Sequence, residues 1–246
     1  MTDTKAGKKK VDDVVSAMKG KAIEAEEQSN SMLSTLLIIA AVLAVLGGGY
    51  YYYFVRGGTL STPATQTVDV LAPQALPDVV LGDPAAKVTI VEYASLTCPH
   101  CAAFHTGTLP GLKQKYIDTG KVRLILRGLP LNPPDLVTQM LARCVPADKY
   151  YQFTSAVFEN QRAIYSTENI EGSLKALARQ AGFTEDTYKS CTENEKLRGQ
   201  LIEMAKVAGE KYGVDSTPTF FINGKRFAGE RNDLASFEKA IDPLLK

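Results

Sequence analysis

Between Gln28 and Val55 the chain runs for 28 consecutive positions without a charged residue. From Met32 onward the run is almost wholly apolar, aromatic or glycine. About 20 such residues suffice to cross a hydrocarbon core as a helix. Gly47, Gly48 and Gly49 would weaken a soluble helix but are tolerated in membrane helices, and Tyr50 to Tyr53 resemble an interfacial aromatic belt. A buried core helix is one competing reading, but soluble domains seldom bury so long a charge-free segment. A cleaved signal peptide is the stronger competitor. Against it, 31 residues precede the run where a signal peptide would start with a short basic patch, and bulky tyrosines follow it in place of a small-residue cleavage site. Residues 32–55 are therefore expected to be an uncleaved transmembrane signal anchor.

Basic residues set its orientation. Six lysines (5, 8, 9, 10, 19 and 21) precede the span, whereas only Arg56 lies between it and Lys87. The expectation is a cytoplasmic tail over 1–31, an exported C-terminal part, and a linker over 56–77 rich in Thr, Ser, Pro and Ala. The whole chain carries 28 basic against 27 acidic residues, and this near-neutrality argues against nucleic acid as a partner.

Residues 78–246 read as one α/β domain. Lys87 to Ser95 is a mostly apolar, β-branched run of the kind found in a central strand covered on both faces. A helical stretch follows to about Gly120, in which Pro110 should produce a kink. Val122 to Arg127 is a second strand, and helical patterning then continues to Tyr212. Thr219 to Asn223 and Arg226 to Ala228 suit a hairpin, because Asn223-Gly224 fits a two-residue turn. A final helix carries Leu234, Phe237 and Ile241, with Asn232 or Asp233 as its cap. Strand, helix, strand, helical block, hairpin and helix is a thioredoxin-like order with a helical insertion at about 130–212.

The first strand leads into Cys98-Pro99-His100-Cys101. Two cysteines at this spacing serve zinc sites, iron clusters, haem attachment or redox disulfides. Haem attachment would place His at 102, which is Ala; zinc would need a second ligand pair, and Cys144 and Cys191 are far apart. His105, the one imaginable third ligand, reads as a helix-surface residue. What remains is a strand-to-helix turn with Cys98 at a helix N-terminus, where partial positive charge and free N–H groups stabilise a thiolate. Pro99 suits the first helical turn, and His100 is expected to donate to the Cys98 sulfur or carry charge beside it.

Glu92 shares a strand face with Val88 and Ile90. It is either a solvent-edge residue or a buried carboxylate close enough to exchange a proton with Cys101. Thr217-Pro218 precedes another apolar strand and is expected to be a cis bond, placing an unpaired strand edge beside Cys98 for an extended substrate. Cys144 and Cys191 would form a structural disulfide in an oxidising compartment, the alternative being two buried free thiols.

Together, Glu92 to Cys101, the helical insertion and Thr217-Pro218-Thr219-Phe220-Phe221 resemble the DsbA-like branch of the thioredoxin superfamily. Thioredoxin itself has Trp before Cys-Gly-Pro-Cys; here Thr97 precedes the motif and the chain has no Trp. The resemblance implies that Cys98 is the exchanging sulfur, Cys101 its buried partner, Glu92 the carboxylate beneath it and Pro218 the cis-proline. It further implies a cofactor-independent thiol:disulfide oxidoreductase, which the expected anchor would place on the bacterial inner membrane, a departure from the many relatives that are soluble after signal removal. Such an enzyme oxidises exported proteins with reduced cysteines and is itself reoxidised by a quinone-linked, DsbB-like membrane partner. An isomerase or reductase of the same fold is the alternative, or a non-catalytic module binding metal, copper or protein.

Overall fold

The computed structural model describes residues 40, 42–45, 47–48 and 69–246. Residues 40, 42–45 and 47–48 are helical, with Val42, Leu43 and Val45 exposed. The expected tail 1–31, most of the expected span 32–55 and residues 56–68 of the expected linker lie outside the described residues. Among the described residues no helix is long and apolar enough to cross a membrane.

The remainder is organised by a five-stranded sheet of order β1-β3-β2-β4-β5, from β1 (Val80–Leu81), β2 (Val88–Ala94), β3 (Val122–Gly128), β4 (Thr219–Ile222) and β5 (Lys225–Arg226). The expected central strand is β2, buried along its whole length, parallel to β3 and antiparallel to β4. Period-two alternation divides its side chains. Val88 and Ile90 pack with Phe104, Leu112, Phe220 and Phe237 on one face, and Val91 and Tyr93 with Ala208, Tyr212 and Phe221 on the other. The two-residue β1 escapes period-based reading because so short a segment shows no alternation.

Between β2 and β3 the chain forms α1 (Pro99–Ala103), a π-helical segment 104–108, α2 (Leu109–Leu112) and a second π-helical segment 113–117. Pro110 falls in the first turn of α2. The chain thus accommodates its missing donor by widening the preceding turn to π geometry. After β3 come α3 (Pro133–Cys144), α4 (Tyr150–Glu159), α5 (Gln161–Tyr165), α6 (Ile170–Gln180), α7 (Glu185–Thr192) and α8 (Glu195–Tyr212), which constitute the expected helical insertion. Asn132, Asn169, Thr184 and Asn194 accept backbone N–H bonds at the starts of α3, α6, α7 and α8. Gly213 ends α8 at φ 63°, the left-handed conformation that glycine adopts without penalty. Asn223 and Gly224 both take positive φ in the β4–β5 turn, and Asp233 caps α9 (Leu234–Ile241).

Part of the expected linker is packed against the domain. Val70 is fully buried, and its carbonyl accepts from Arg127 Nη1 at 2.5 Å. Arg127, itself fully buried, makes a two-point ion pair with Asp78 at 2.8 and 2.7 Å and donates to Tyr93 Oη at 2.9 Å. Residues 70–78 therefore behave as a strap over the sheet. Composition gives little sign of this, because apart from the buried Val70 and the packed Leu76 the strap is held by side chains of distant elements, Arg127 on Val70 and Asp78, Arg143 on the Pro77 carbonyl and Gln200 on the Ala75 carbonyl.

Candidate active site

The site lies where β2 gives way to α1. Cys98 occupies the N-cap position in an extended conformation, and Pro99 begins the first turn. The antiparallel register pairs Tyr93 with Thr219 and so places the preceding residues of β4 beside the end of β2. The Thr217–Pro218 bond there is cis, and the Thr217 carbonyl lies 3.5 Å from Cys98 Sγ.

The two thiols have opposite electrostatics. Cys98 is lowered to about 5, first by a hydrogen bond from the Cys101 thiol and then, against an opposing effect of burial, by Thr217 and the backbone N–H groups of Cys101 and His100. Those N–H groups belong to the first helical turn, where no intrahelical acceptor competes for them. Cys101 is fully buried, and burial, its bond to Cys98 and the Glu92 charge push its thiol far up. The arrangement thus supplies one sulfur ready to exchange and one held as a protonated resolving group. Both are free thiols here.

His100 does not occupy the place expected for it. Its ring is exposed and, among the described residues, makes no hydrogen bond to Cys98; its backbone N–H is the group that acts on the sulfur. The ring lines a cavity of about 370 Å³ with Ala228, Gly229, Glu230, Arg231 and Asn232. Arg231 Nη1 from the same loop donates to the Pro218 carbonyl at 3.2 Å.

Glu92 is fully buried, so the solvent-edge alternative is discarded. Its partner is His105, whose Nε2 lies 2.9 Å from Glu92 Oε2 and whose ring stacks on Phe158 with centroids 4.1 Å apart. The reading of His105 as a surface residue is therefore corrected: 8% of the residue is exposed. The signal was present, since Cys101, Phe104, His105, Thr108 and Leu112 recur at i, i+3, i+4, i+7 and i+11 and form the inward stripe of the helical stretch that runs from α1 through the first π-helical segment into α2.

The helical insertion holds the redox loop from the other side. Gln161 Nε2 donates to the carbonyls of Leu96 and Cys98, both at 3.0 Å. The buried carboxylate of Asp135 accepts from Leu96 N at 2.9 Å and Leu131 N at 3.0 Å. Neither residue carries a motif that would single it out in sequence. Farther away, Cys144 and Cys191 are joined in a disulfide between α3 and α7, with Cα atoms 6.1 Å apart.

A cysteine pair opening a helix on the central strand, a cis-proline facing it and a helical insertion after the second long strand define a thioredoxin-fold redox protein of the DsbA type. The chain belongs to the thioredoxin family, whose model, described as thioredoxin, matches residues 74–243. A Rickettsia prowazekii protein named as a protein-disulfide oxidoreductase is 32% identical over 169 residues, 68% of this chain and 61% of that protein. The chain thus spans less than two thirds of that relative's length. The crystal structure of Wolbachia pipientis alpha-DsbA1 is 33% identical with a TM-score of 0.66, covering 73% of this chain and 96% of the Wolbachia chain. That of a protein-disulfide isomerase from Novosphingobium aromaticivorans is 28% identical with a TM-score of 0.60, covering 70% and 100%.

Proposed function

We propose that the protein is a thiol:disulfide oxidoreductase that introduces disulfides into exported proteins through Cys98 and Cys101. The observation that carries this reading is the opposition between the two sulfurs: Cys98 is held as a thiolate, and Cys101 is buried with its thiol pushed far up. In the oxidised enzyme a substrate thiolate attacks Cys98 Sγ, the Cys98–Cys101 bond breaks, and its electron pair leaves with Cys101, which takes up a proton. A second substrate thiolate attacks the substrate sulfur of the mixed disulfide, closing the substrate disulfide and releasing Cys98 as a thiolate. The substrate loses two electrons and the enzyme pair gains them. Because the released Cys98 thiolate is stable, it leaves readily and the reduced enzyme is favoured, so substrate oxidation runs downhill. An extended client segment would lie against the edge at Thr217 and Pro218.

Turnover then calls for a membrane partner that takes the two electrons on to a quinone, as in the family the chain resembles. The charge-free run 28–55 and the lysine bias before it support a single-pass anchor in the bacterial inner membrane, with the N-terminus cytoplasmic and the catalytic domain outside. Such an anchor would confine the enzyme to clients leaving the membrane.

The reduction potential of the Cys98–Cys101 pair, from equilibration with glutathione redox buffers, tests the direction. A value above that of the glutathione couple is expected, and one near that of thioredoxin would turn the reading to a reductase. Rescue of a scrambled disulfide substrate, together with a weakly oxidising potential, would instead identify an isomerase.

A further inference from the structure

Cys101 cannot exchange its proton with bulk water, since it is fully buried. Each catalytic cycle nevertheless protonates and deprotonates it. Glu92 is fully buried as well, and its Oε1 has no hydrogen-bond partner. An unpartnered buried carboxylate oxygen is costly and calls for an explanation. The other oxygen, Oε2, is joined to His105 Nε2, and His105 is the one member of the series whose side chain retains any exposure, 2% against 0% for Glu92. Nδ1 of the ring has no hydrogen-bond partner among the described residues. We infer that His105 is a positioning residue that carries a proton between solvent and Glu92, and through Glu92 to and from Cys101.

The inference rests on the exchange chemistry proposed above. As Cys101 leaves, a neutral Glu92 passes the proton on Oε1 to its sulfur, directly or across one water molecule, and the carboxylate so formed, the charge felt by the Cys101 thiol, is reprotonated from His105. Glu92 Oε2 takes the proton of His105 Nε2, and Nδ1 takes one from water, so one solvent proton has entered and one Cys101 thiol has formed. The reverse sequence deprotonates Cys101 when it attacks a mixed disulfide on Cys98. Few other groups compete for this proton. At the start of α1, Cys101 feels both the Glu92 carboxylate and the Cys98 sulfur. From α4 the Tyr150 hydroxyl is committed to the Leu126 carbonyl and that of Tyr151 to the carbonyls of Val79 and Leu124, with the Arg143 charge acting on both tyrosines and not paired with Glu92. Phe158 and Phe104 close the remaining sides of the ring.

The test uses the reduced full-length chain mixed with excess glutathione disulfide, quenched in acid and read by mass spectrometry. Cys98 attacks one glutathione sulfur and releases one glutathione thiolate. Cys101 then attacks Cys98 Sγ and releases the second. The first step does not use the conduit and serves as the internal reference. His105→Gln keeps a donor for Glu92 but cannot take up and pass on a proton, whereas His105→Phe removes both functions. In each, the Cys98–glutathione adduct is expected to persist at least about tenfold longer than in the wild type. Its decay should rise more steeply with pH than in the wild type, because bulk hydroxide must then take the Cys101 proton that the conduit no longer carries. Glu92→Gln should behave in the same way, and the double variant should be no slower than either single one. A wild-type adduct lifetime and pH profile in His105→Gln would overturn the inference, as would a double variant slower than the sum of the singles. A wild type that never forms the adduct would instead overturn the exchange reading of Cys98, a distinct outcome. Should His105→Phe fail to fold, the Gln variant decides alone.

Discussion

The carbonyl of Thr217 sits 3.5 Å from the sulfur of Cys98, across 119 positions of sequence. The carbonyl accepts from the thiol form, whereas the thiolate is stabilised first by the Cys101 thiol, then by the Thr217 side chain and the N–H groups of the first turn of α1. Absorbance of the reduced protein near the thiolate band should titrate with a midpoint near pH 5. Because the Cys101 hydrogen bond is the largest cause, Cys101→Ala should move that midpoint up towards the ordinary thiol range; an unchanged midpoint would refute the assignment.

The same shift has a consequence for stability. A folded value of about 5 against 9.0 for a free thiol means that the unfolded chain binds more protons between those limits. The Cys98 contribution to the stability of the reduced form is therefore fully present above pH 9, declines as the pH falls through this window, and is gone below about pH 5. The disulfide form lacks the titrating group. Urea unfolding of both forms should show the gap in favour of the reduced form shrinking on acidification, and a widening gap would contradict the electrostatic assignment.

Asp78→Asn leaves the buried Arg127 guanidinium without its counter-charge. A loss of about 3 kcal/mol is expected, the low end for breaking a buried pair because Asp78 retains some contact with water. Denaturant midpoints measure this, and limited proteolysis should find residues 70–78 cut faster than in the wild type. Equal cutting rates would mean that the strap is held by other contacts.

Removing the bridge by Cys144→Ala with Cys191→Ala opens a loop with a sequence separation of 47. Loss of chain-entropy stabilisation should cost roughly 4 kcal/mol. Thiol alkylation of the oxidised wild type should label neither Cys144 nor Cys191, and labelling of both would show that the bridge is absent in solution.

Gln161→Ala deprives the carbonyls of Leu96 and Cys98 of their shared donor. Stability should fall by roughly 1 to 2 kcal/mol. A second readout separates active-site positioning from plain destabilisation: the Cys98 thiolate midpoint should rise, because the loop that aligns the sulfur with the helix N-terminus is loosened. A loss of stability with an unmoved midpoint would make Gln161 a purely structural contact.

Local pattern made much of this domain legible before any coordinates. Val88 to Ala94 reads as a covered central strand because its β-branched and apolar residues form a near-continuous run, and Asn223-Gly224 reads as a hairpin turn because both positions tolerate positive φ. Cys98, Pro99 and Cys101 stand out because their chemistry and spacing are local. His105 taken by itself reads as a surface residue; set on one helical stripe with Cys101 and Phe104, it points inward. Asp135, Gln161 and Arg231 left no such trace, since their partners are backbone carbonyls and N–H groups brought close only by folding.

The amino-acid sequence by itself determined the class of fold, the redox pair and the charge-free N-terminal run, because periodicity, motif spacing and lack of charge are properties of neighbouring residues. Tertiary structure alone decided which groups the pair would meet. The Thr217 carbonyl at Cys98, His105 on Glu92 and the Arg127 anchor for residues 70–78 each join side chains or carbonyls from separate elements. Their energies depend on burial and orientation, which strand register and helix packing set together and which no local window of sequence contains.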